Sequence, residues 1–410
     1  MYKTRRDSKG RAFRKGEGIR KDGLYRYTYT DPCGKRKTLY ARDLPELREK
    51  EKQVQRDRLD GLDLYLSQKA DINFVFDRYI ATKRDLRVTT ETSYRYTYDR
   101  YVREGFGKRR ISSVRYSDVI LFYHSILNRG LSVATVDNIH SVLCPTFQMA
   151  VRDMIIRVNP ADGALGEIKR SKKNASGVKQ ALTYEQESAF LGYIENNPDE
   201  GRWVPLINVM FGTGCRIGEI IGLRWDDIDF KNNVIYVRRS ISYCPRYDRG
   251  RRAEYVIAEP KTQSGIRTIP MLTKVREALL KEQENQKFFG YRCIQVVEGV
   301  SGFVFCNRYG NLLNPSGVNK VIHRIVSDYN SQEILQAARE HREPLIVPQF
   351  SCHITRHTFC SRLCENETNI KVIQSVMGHK DIQTTMDIYA EVSDTKKQES
   401  FLKLNEKNVL

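Results

Sequence analysis

Six side chains in the second half of the chain have the types needed to process a phosphodiester. In chain order they are Arg216, Lys261, His353, Arg356, His379 and Tyr389. The planar guanidinium of arginine stays protonated and binds two phosphate oxygens at once. A phenol can attack phosphorus, and a lysine can protonate the oxygen that leaves. Together these side chains could hold a phosphodiester, attack it and stabilise the charge that develops on its oxygens.

The first arginine follows a turn. Gly214 permits a tight turn that presents Arg216 at the start of a helix. Glu219 comes three residues later, on the same helical face, and is expected to orient the guanidinium. The alternative is a surface salt bridge between these two side chains, which is common in any basic protein.

A second group of side chains contains two histidines and a tyrosine. The spacing of three residues places His353 and Arg356 on one side of a helix, as a phosphate clamp requires. Gly378 is predicted to end the apolar helix before it, with His379 just beyond. Tyr389 follows ten residues later. The alternative for His379 is a surface histidine without a catalytic role. The alternative for Tyr389 is a tyrosine without a special role, since the chain has 23 tyrosines.

Lys261 is predicted to lie on a hairpin. Short strands at residues 255–258 and 266–270 flank a turn at residues 263–265. A lysine there could reach the DNA and protonate a leaving hydroxyl, because nearby charges can tune its pKa. Arg267 is the competing candidate for this role. The alternative for Lys261 is a surface lysine that contacts phosphate.

Two other groups of residues raise the question of a metal site. Three carboxylates follow Trp225: Asp226, Asp227 and Asp229. Paired carboxylates can bind Mg²⁺, but these lie between a helix and a strand, where Asp commonly forms turns. Three cysteines lie close to His353 and His357: Cys352, Cys360 and Cys364. Their spacing is not that of a usual zinc site, so we expect no metal at either place.

The charge of the chain indicates a polyanionic partner. Its 410 residues include 69 Lys and Arg against 50 Asp and Glu, a formal net charge of +19. Residues 1–42 hold 14 basic and 4 acidic residues, so about half of the excess lies in a tenth of the chain. Nucleic acid is the usual partner of such a surface. A basic protein without a polyanionic partner has no reason to concentrate charge in this way.

Length and apolar pattern set further limits. A chain of 410 residues predicts two or three domains. No run approaches the roughly 18–20 apolar residues of a membrane helix, and the first residues lack the apolar stretch of a signal peptide. The 9 cysteines include no C-x-x-C pair, which is typical of reduced thiols. We therefore expect a cytoplasmic protein.

Residues 1–66 predict a small three-stranded sheet with one helix. Strands are expected near residues 13–19, 24–30 and 35–41, a turn at 31–34 and a helix at about 45–60. The exposed strand faces and their turns carry four basic residues that we expect to contact DNA: Arg20, Arg26, Lys35 and Lys37. The alternative is a solvated sheet that its charges keep from aggregating.

The rest of the chain divides into a helical region and a mixed region. Residues 72–166 predict four helices, the last of them beginning after Ser132 as its N-cap. The polar segment at residues 167–177 predicts an extended linker in which Lys172 contacts DNA, or a merely flexible connector. Residues 180–396 mix helices and short strands, starting with a capping box of Thr183 and Gln186. Residues 397–410 form a charged tail.

The motifs and their order resemble the tyrosine recombinase, or phage-type integrase, family, most of all the integrases of conjugative transposons. The resemblance lies in T-G-x-R-x-x-E-x-x-x-L-x-W at residues 213–225, H-x-x-R-H-T-F at 353–359 and G-H-x-x-x-x-T-T-x-x-I-Y at 378–389. It implies a multidomain, mainly α protein with small β-sheets. Its parts would be an arm-type DNA-binding domain (1–66), a SAM-like, all-helical core-binding domain (72–166) and a mixed α+β catalytic domain (180–396).

The resemblance also implies a mechanism. Tyr389 attacks the scissile phosphate, forms a 3′-phosphotyrosyl link and releases a 5′ hydroxyl, with Lys261 as general acid. The transition state is stabilised by Arg216, His353, Arg356 and His379. No cofactor, metal or ATP is required, because the covalent link conserves the ester. The implied partners are double-stranded DNA with core and arm sites, a homotetramer that exchanges strands through a Holliday junction, an excisionase and a DNA-bending protein. Such a protein acts at the nucleoid.

Two alternatives stay open at this point. A type IB topoisomerase uses the same chemistry as a monomer, although the N-terminal region argues against it. A regulator that binds DNA without catalysis could keep the same fold, although all six positions hold competent residues.

Overall fold

The structure is a computed structural model that describes residues 5–30, 36–59, 69–171, 181–247, 250–258, 265–367, 369–379, 381–383, 385–386 and 388. The chain divides into two compact units, residues 1–176 and 177–410. The described parts are mainly helical with small antiparallel sheets, which confirms the predicted fold class. Among these residues we find no helix with the length and apolar character needed to span a membrane.

The first unit opens with an antiparallel sheet in the order β1-β2-β3 and one helix. These elements are β1 (Glu17–Ile19), β2 (Tyr25–Thr30), β3 (Arg36–Ala41) and α1 (Leu44–Leu59). Alternate residues of β2 face α1, so that Tyr25 packs with Leu47 and Tyr29 packs with Val54. The sheet and helix predicted for this region are confirmed. The predicted turn at residues 31–34 lies outside the described residues.

Helices make up the remainder of the first unit. They are α2 (Ile72–Thr82), α3 (Val88–Tyr101), α4 (Tyr116–Asn128), α5 (Val133–Arg152) and α6 (Ala164–Ser171), with 3₁₀ turns at Phe106–Lys108 and Ile111–Ser113. Ser132 caps α5 by accepting a hydrogen bond from the Thr135 amide at 3.2 Å, as predicted. Phe76 and Tyr98 stack in the core with ring centroids 3.6 Å apart. This part has a core of its own, separate from the residues that pack under the sheet.

The predicted extended linker is wrong over residues 167–171, because α6 continues to Ser171. Ile168 is fully buried and packs into the helical core. The hydroxyl of Tyr116 donates to Glu167 at 2.6 Å, which further fixes the helix. A helix of eight residues spans little more than two turns, which is shorter than the window of about 11 or more residues needed to recognise a helical period from sequence. Lys172 lies outside the described residues.

The second unit combines helices with short strands. Its helices are α7 (Tyr184–Asn196), α8 (Val204–Thr213), α9 (Ile217–Ile221), α10 (Thr273–Phe289), α11 (Pro315–Glu340), α12 (Cys352–Asn366) and α13 (Ile370–Met377). Its strands are β4 (Ile228–Asp229), β5 (Val234–Val237), β6 (Ser240–Arg246), β7 (Arg252–Ala258) and β8 (Arg267–Pro270). Short 3₁₀ helices occupy Gly201–Trp203 and Trp225–Asp227. The capping box of Thr183 and Gln186 begins α7, as predicted.

The pairing of the strands differs from the prediction. β7 pairs with β6, whereas β8 pairs with β5, in two separate antiparallel sheets. Over the described residues β7 and β8 therefore do not form the hairpin predicted around Lys261. The prediction missed β6, the nearest partner available to β7. Lys261 itself lies outside the described residues.

Candidate active site

The turn before Arg216 is built by a glycine in the left-handed region. Gly214 has φ = +59° and ends α8. A Cβ atom at this position would lie 2.3 Å from the Phe359 ring, so the close packing of α8 on α12 also requires glycine. Thr213 is buried, and its hydroxyl accepts from the Cys215 amide at 3.2 Å. The turn is thereby fixed, and Arg216 becomes the N-cap residue of α9.

Glu219 holds Arg216 at two points. The Arg216 amide donates to Oε2 at 3.0 Å, and Nη1 of its guanidinium donates to Oε1 at 2.9 Å. The Arg216 side chain is 45% exposed, whereas that of Glu219 is only 7% exposed. Burial alone would raise the pKa of Glu219, but the hydrogen bond and charge of Arg267, with the charge of Arg216, lower it. The predicted contact is present. It is not a surface salt bridge, because Glu219 is buried even though Arg216 is half exposed.

Arg356 is buried where α12 meets the ends of α8 and α13. Its Nη1 donates to the Gly214 carbonyl at 2.8 Å and its Nη2 to the Met377 carbonyl at 2.6 Å. Burial lowers the pKa of Arg356 to about 10, and the positive charge of Arg216 acts in the same direction. The guanidinium stays charged at neutral pH. His353 lies one turn earlier on α12 and is exposed.

His379 follows the predicted end of α13. Gly378 has φ = +61° and its amide donates to the Gln374 carbonyl at 2.9 Å, which terminates the helix. The His379 side chain is buried, with Nδ1 2.9 Å from the Thr385 hydroxyl. Burial lowers the pKa of His379 to about 4, and the charges of Arg356 and Arg216 act in the same direction. The imidazole is therefore neutral at pH 7.

The end of α13 gathers three guanidinium groups. Its consecutive carbonyls each face a different arginine: Val376 faces Arg267 at 2.7 Å, Met377 faces Arg356 at 2.6 Å and Gly378 faces Arg216 at 3.5 Å. Carbonyls at a helix C-terminus carry partial negative charge and attract cations. The structure thus brings Arg216 and Glu219 of α9 together with Arg356 of α12 and with His379, which follows α13.

Two of the predicted residues, Lys261 and Tyr389, lie outside the described residues. Ile388, the residue before Tyr389, is 9% exposed and packs with Met377 and Ile373 of α13. Ile388 is therefore anchored beside α13, the helix that ends just before Gly378 and His379.

Sequence reasoning gave no role to Thr385 and misjudged Arg267. Thr385 is fully buried and lies against His379, and the paired threonines of the last motif were its only signal. Arg267 was the competing general acid. Burial opposes its charge, but Cys215 and the hydrogen bond to Glu219 raise the pKa of Arg267. A buried guanidinium with a raised pKa is a poor proton donor, so Lys261 is the better candidate.

The acidic and cysteine clusters have structural roles. Asp227 is fully buried, accepts from the Arg224 amide at 3.0 Å and forms ion pairs with Arg238 and Arg239. Asp229 accepts from the amides of the turn that follows it. Cys352, Cys360 and Cys364 are buried thiols. Among the described residues, no three His, Cys, Asp or Glu side chains are grouped so as to hold a metal ion.

The sheet of the first unit has one basic outer face. Arg26 lies opposite Tyr40, and Arg36 lies opposite Thr30, both pairs on the face away from α1. The Arg20 guanidinium lies 5.3 Å from the centre of the Tyr40 ring. Lys37 instead lies opposite Tyr29, on the face that packs on α1, so the prediction that it shares the exposed face is wrong. Lys35 lies outside the described residues.

Arg36 takes the place on this face that was expected for Lys37. The strand period of two residues puts neighbours on opposite faces, and only the register decides which one faces outward. A run of three basic residues at 35–37 does not reveal that register.

Comparison with known proteins agrees with this geometry. Residues 180–396 match the phage integrase family, and residues 1–58 match the DNA-binding domain of Tn916 integrase. The chain is 30% identical over 403 residues to the transposase of transposon Tn916 from Enterococcus faecalis, covering 95% of this chain and 94% of the relative. The transposase of Tn1545 from Streptococcus pneumoniae has the same identity and coverage.

Solved structures extend the comparison. A Tn1549 transposon integrase in complex with transposon right end DNA is 28% identical, with a TM-score of 0.67, over 80% of this chain and 99% of that chain. A lambda integrase tetramer bound to a Holliday junction has a TM-score of 0.51 at 17% identity, over 91% of this chain and 94% of that chain, which shows the shared fold alone. The chain belongs to the phage integrase family and is a tyrosine-type site-specific recombinase of the conjugative transposon group.

Proposed function

We propose that this recombinase cuts DNA through Tyr389, with Arg216, Arg356, His353 and His379 around the scissile phosphate. As the phenolic oxygen of Tyr389 forms a bond to phosphorus its proton passes to solvent, and the bond from phosphorus to the 5′ oxygen breaks. Lys261 gives its proton to that oxygen, which leaves as a hydroxyl. The phosphotyrosyl ester retains the energy of the broken ester, so the partner strand can be joined by the reverse reaction without ATP.

The observation that carries this proposal is the grouping of Arg216 and Arg356 beside His379. The guanidiniums of Arg216 and Arg356 both reach the C-terminal end of α13. Glu219 accepts from the Arg216 guanidinium through its Oε1 atom. Burial lowers the pKa of His379, and the nearby positive charges of Arg356 and Arg216 lower it further. A phosphodiester anion would relieve this repulsion, and its developing charge in the transition state would be stabilised still more.

Arg356 and His379 have different protonation states at neutral pH, and this gives them different roles. Arg356 is charged at pH 7, whereas His379 is neutral and serves as a hydrogen-bond donor or acceptor rather than as a cation. Neither group is suited to give up a proton to a leaving alkoxide at neutral pH. Lys261 remains the general acid in this proposal, on the strength of its motif.

The chain integrates and excises a mobile element as a site-specific recombinase of its group. We assign DNA binding at arm sites to residues 1–66, clamping of the core site to residues 72–166 together with 180–396, and contacts with a neighbouring subunit to residues 397–410. A homotetramer on two DNA sites performs strand exchange through a Holliday junction. An excisionase and a DNA-bending protein set the direction, in the cytoplasm at the nucleoid.

Covalent trapping tests the proposal. A nicked DNA from the ends of the element is incubated in EDTA with the wild type, Tyr389→Phe and Tyr309→Phe. The last variant is the matched control, since Tyr309 is 65% exposed and its ring lies against Arg308, which has no role in the proposed site. We expect an adduct that survives denaturation with the wild type and with Tyr309→Phe, and none with Tyr389→Phe.

The alternatives predict other outcomes in the same assay. If DNA is bound but the wild type forms no adduct, the chain is a regulator or uses another nucleophile. An adduct that persists in Tyr389→Phe rejects Tyr389. A requirement for added Mg²⁺ would reject the metal-free mechanism.

A further inference from the structure

Arg267 is a buried cation at the centre of the arginine group. It is the first residue of β8, and its side chain is 4% exposed. Its guanidinium donates from Nη2 to Glu219 Oε2 at 2.8 Å and from Nε to the Val376 carbonyl at 2.7 Å. One side chain therefore joins α9, which begins at Arg216, to the end of α13, which leads to His379.

Glu219 transmits the position of Arg267 to Arg216. Its two carboxylate oxygens are divided between the two guanidiniums, Oε1 to that of Arg216 and Oε2 to that of Arg267, and Oε2 also accepts from the Arg216 amide. Because Arg267 occupies Oε2, the carboxylate cannot rotate toward a bidentate pair with Arg216. The Arg216 guanidinium is held by Glu219 at one oxygen and lies 3.5 Å from the Gly378 carbonyl through Nη2, and because the side chain is 45% exposed its other N–H groups are available to a phosphate.

Stability alone does not explain an arginine at this position. Replacing a buried ion pair with apolar residues of similar volume is often neutral or stabilising, because burial removes the hydration of both charges. Nη1 of Arg267 is buried and has no hydrogen-bond partner among the described residues, which is a further cost. The geometry that arginine provides, two donors directed to two separate elements, is what a lysine or an apolar residue would lack.

We propose that Arg267 is a positioning residue for the cleavage reaction, which sets Arg216 through Glu219 and fixes the end of α13 beside His379. This inference rests on the proposed function. Arg267 acts without contacting the phosphate, so its removal should slow the chemical step and leave DNA affinity nearly unchanged.

The test replaces Arg267 with lysine. Arg267→Lys keeps the charge, but a single ammonium cannot reproduce two divergent hydrogen bonds. We expect the rate of adduct formation on saturating nicked DNA to fall on the order of 10- to 100-fold, as small misplacements of reacting groups do. The Kd for the same DNA should stay within about twofold, because the long-range charge is unchanged.

Arg239→Lys is the matched control. Arg239 is a partly buried arginine paired with a buried carboxylate, with side chains 14% and 0% exposed, and it contacts Asp227 and Gly222. The same chemical change there should leave the rate within about twofold. Tryptophan fluorescence confirms that each variant is folded under the assay conditions.

A methylphosphonate at the scissile position separates positioning from a general defect. This linkage lacks one negative charge, so its transition state depends less on charge stabilisation by Arg216. The loss of rate in Arg267→Lys should shrink at least about fivefold on this DNA, as it should in Arg216→Lys, whose guanidinium is altered directly. A defect in folding would reduce both rates by the same factor.

Each result decides the question. A wild-type rate in Arg267→Lys, or an equal loss on phosphate and methylphosphonate, overturns the inference while leaving the proposed function intact. If the wild type itself forms no adduct on bound DNA, the proposed function fails and the inference with it. If Arg267→Lys does not fold, Glu219→Gln tests the same connection from its other end and should show the same loss and the same recovery.

Discussion

His379 shows how burial and neighbouring arginines together control the charge of a side chain. Its pKa is lowered from 6.5 to about 4, first by burial and then by Arg356 and Arg216. In the unfolded chain the imidazole binds a proton below about pH 6.5, whereas in the native state it stays neutral down to about pH 4. The unfolded state binds more protons in this window, so the native state loses stability as the pH falls through it.

We predict that His379→Gln flattens this pH dependence. Between pH 7 and pH 4 the free energy of unfolding of the wild type should fall more steeply than that of the variant, by roughly 3 kcal/mol. Denaturant unfolding followed by tryptophan fluorescence measures the difference, since both tryptophans, Trp203 and Trp225, lie in the second unit. Parallel curves for the two proteins would contradict a lowered pKa for His379.

At the same scale, sequence identified which residues could bind phosphate but not how they are connected. The motifs predicted that Arg216, Arg356 and His379 act together, and the structure brings them to one helix end. Arg267 contacts Glu219, which lies 48 positions earlier in the chain, and Val376, which lies 109 positions later. No local spacing of residues predicts these contacts. Burial and side-chain direction decide such contacts, and both depend on the complete fold.

At the scale of elements, the turn between α8 and α9 is where backbone strain and packing coincide. Gly214 combines a left-handed φ with contact against Phe359, and its carbonyl accepts from Arg356. Gly290, which ends α10, has φ = +67°, but a Cβ atom added there would meet nothing within 4 Å. The two glycines therefore separate the cost of conformation from the cost of a clash.

We predict that Gly214→Ala destabilises the second unit well beyond Gly290→Ala. The left-handed conformation should cost each variant about 1–2 kcal/mol, and the clash with Phe359 should add at least about 1 kcal/mol to Gly214→Ala alone. The midpoints of denaturant unfolding, followed by tryptophan fluorescence, measure both. Equal midpoints would mean that the α8–α12 contact adjusts without cost.

Local signals explain which elements could be predicted. The capping box at Thr183, the N-cap Ser132 and the stop at Gly378 are each determined by a few neighbouring residues, and all three are present. The partner of a strand is determined by distant residues. This is why β7 and β8 were wrongly paired, although the three-stranded sheet, whose strands are close together in the chain, was predicted correctly; α6 was missed for a different reason, its length of only eight residues.

At the scale of the whole chain, the excess positive charge and the residues proposed for cleavage belong to different parts of the sequence. About half of the net charge of +19 falls within residues 1–42, whereas the active-site arginines belong to the second unit. The sheet region also has a hydrophobic core separate from that of the helices that follow it. Binding at arm sites and cleavage at core sites should therefore be separable.

We predict that deleting residues 1–66 abolishes binding to arm-site DNA and leaves adduct formation at a core site within about threefold, because the residues proposed for cleavage all lie after residue 177. Gel-shift assays on arm DNA and covalent trapping on core DNA measure the two activities. Unchanged arm-site binding after the deletion would reject the assignment of this region.

A pair of single substitutions in the full chain tests the surface within that region. Arg26→Gln removes a charge from the outer face of the sheet, whereas Lys52→Gln removes one from the exposed side of α1, where Lys52 pairs with Glu49. Each lost phosphate contact lowers the slope of log Kd against log salt by about 0.9. Arg26→Gln should therefore reduce the slope on arm DNA by about one and weaken binding, and Lys52→Gln should change neither. The opposite pattern would place the DNA on the helix rather than on the outer face of the sheet.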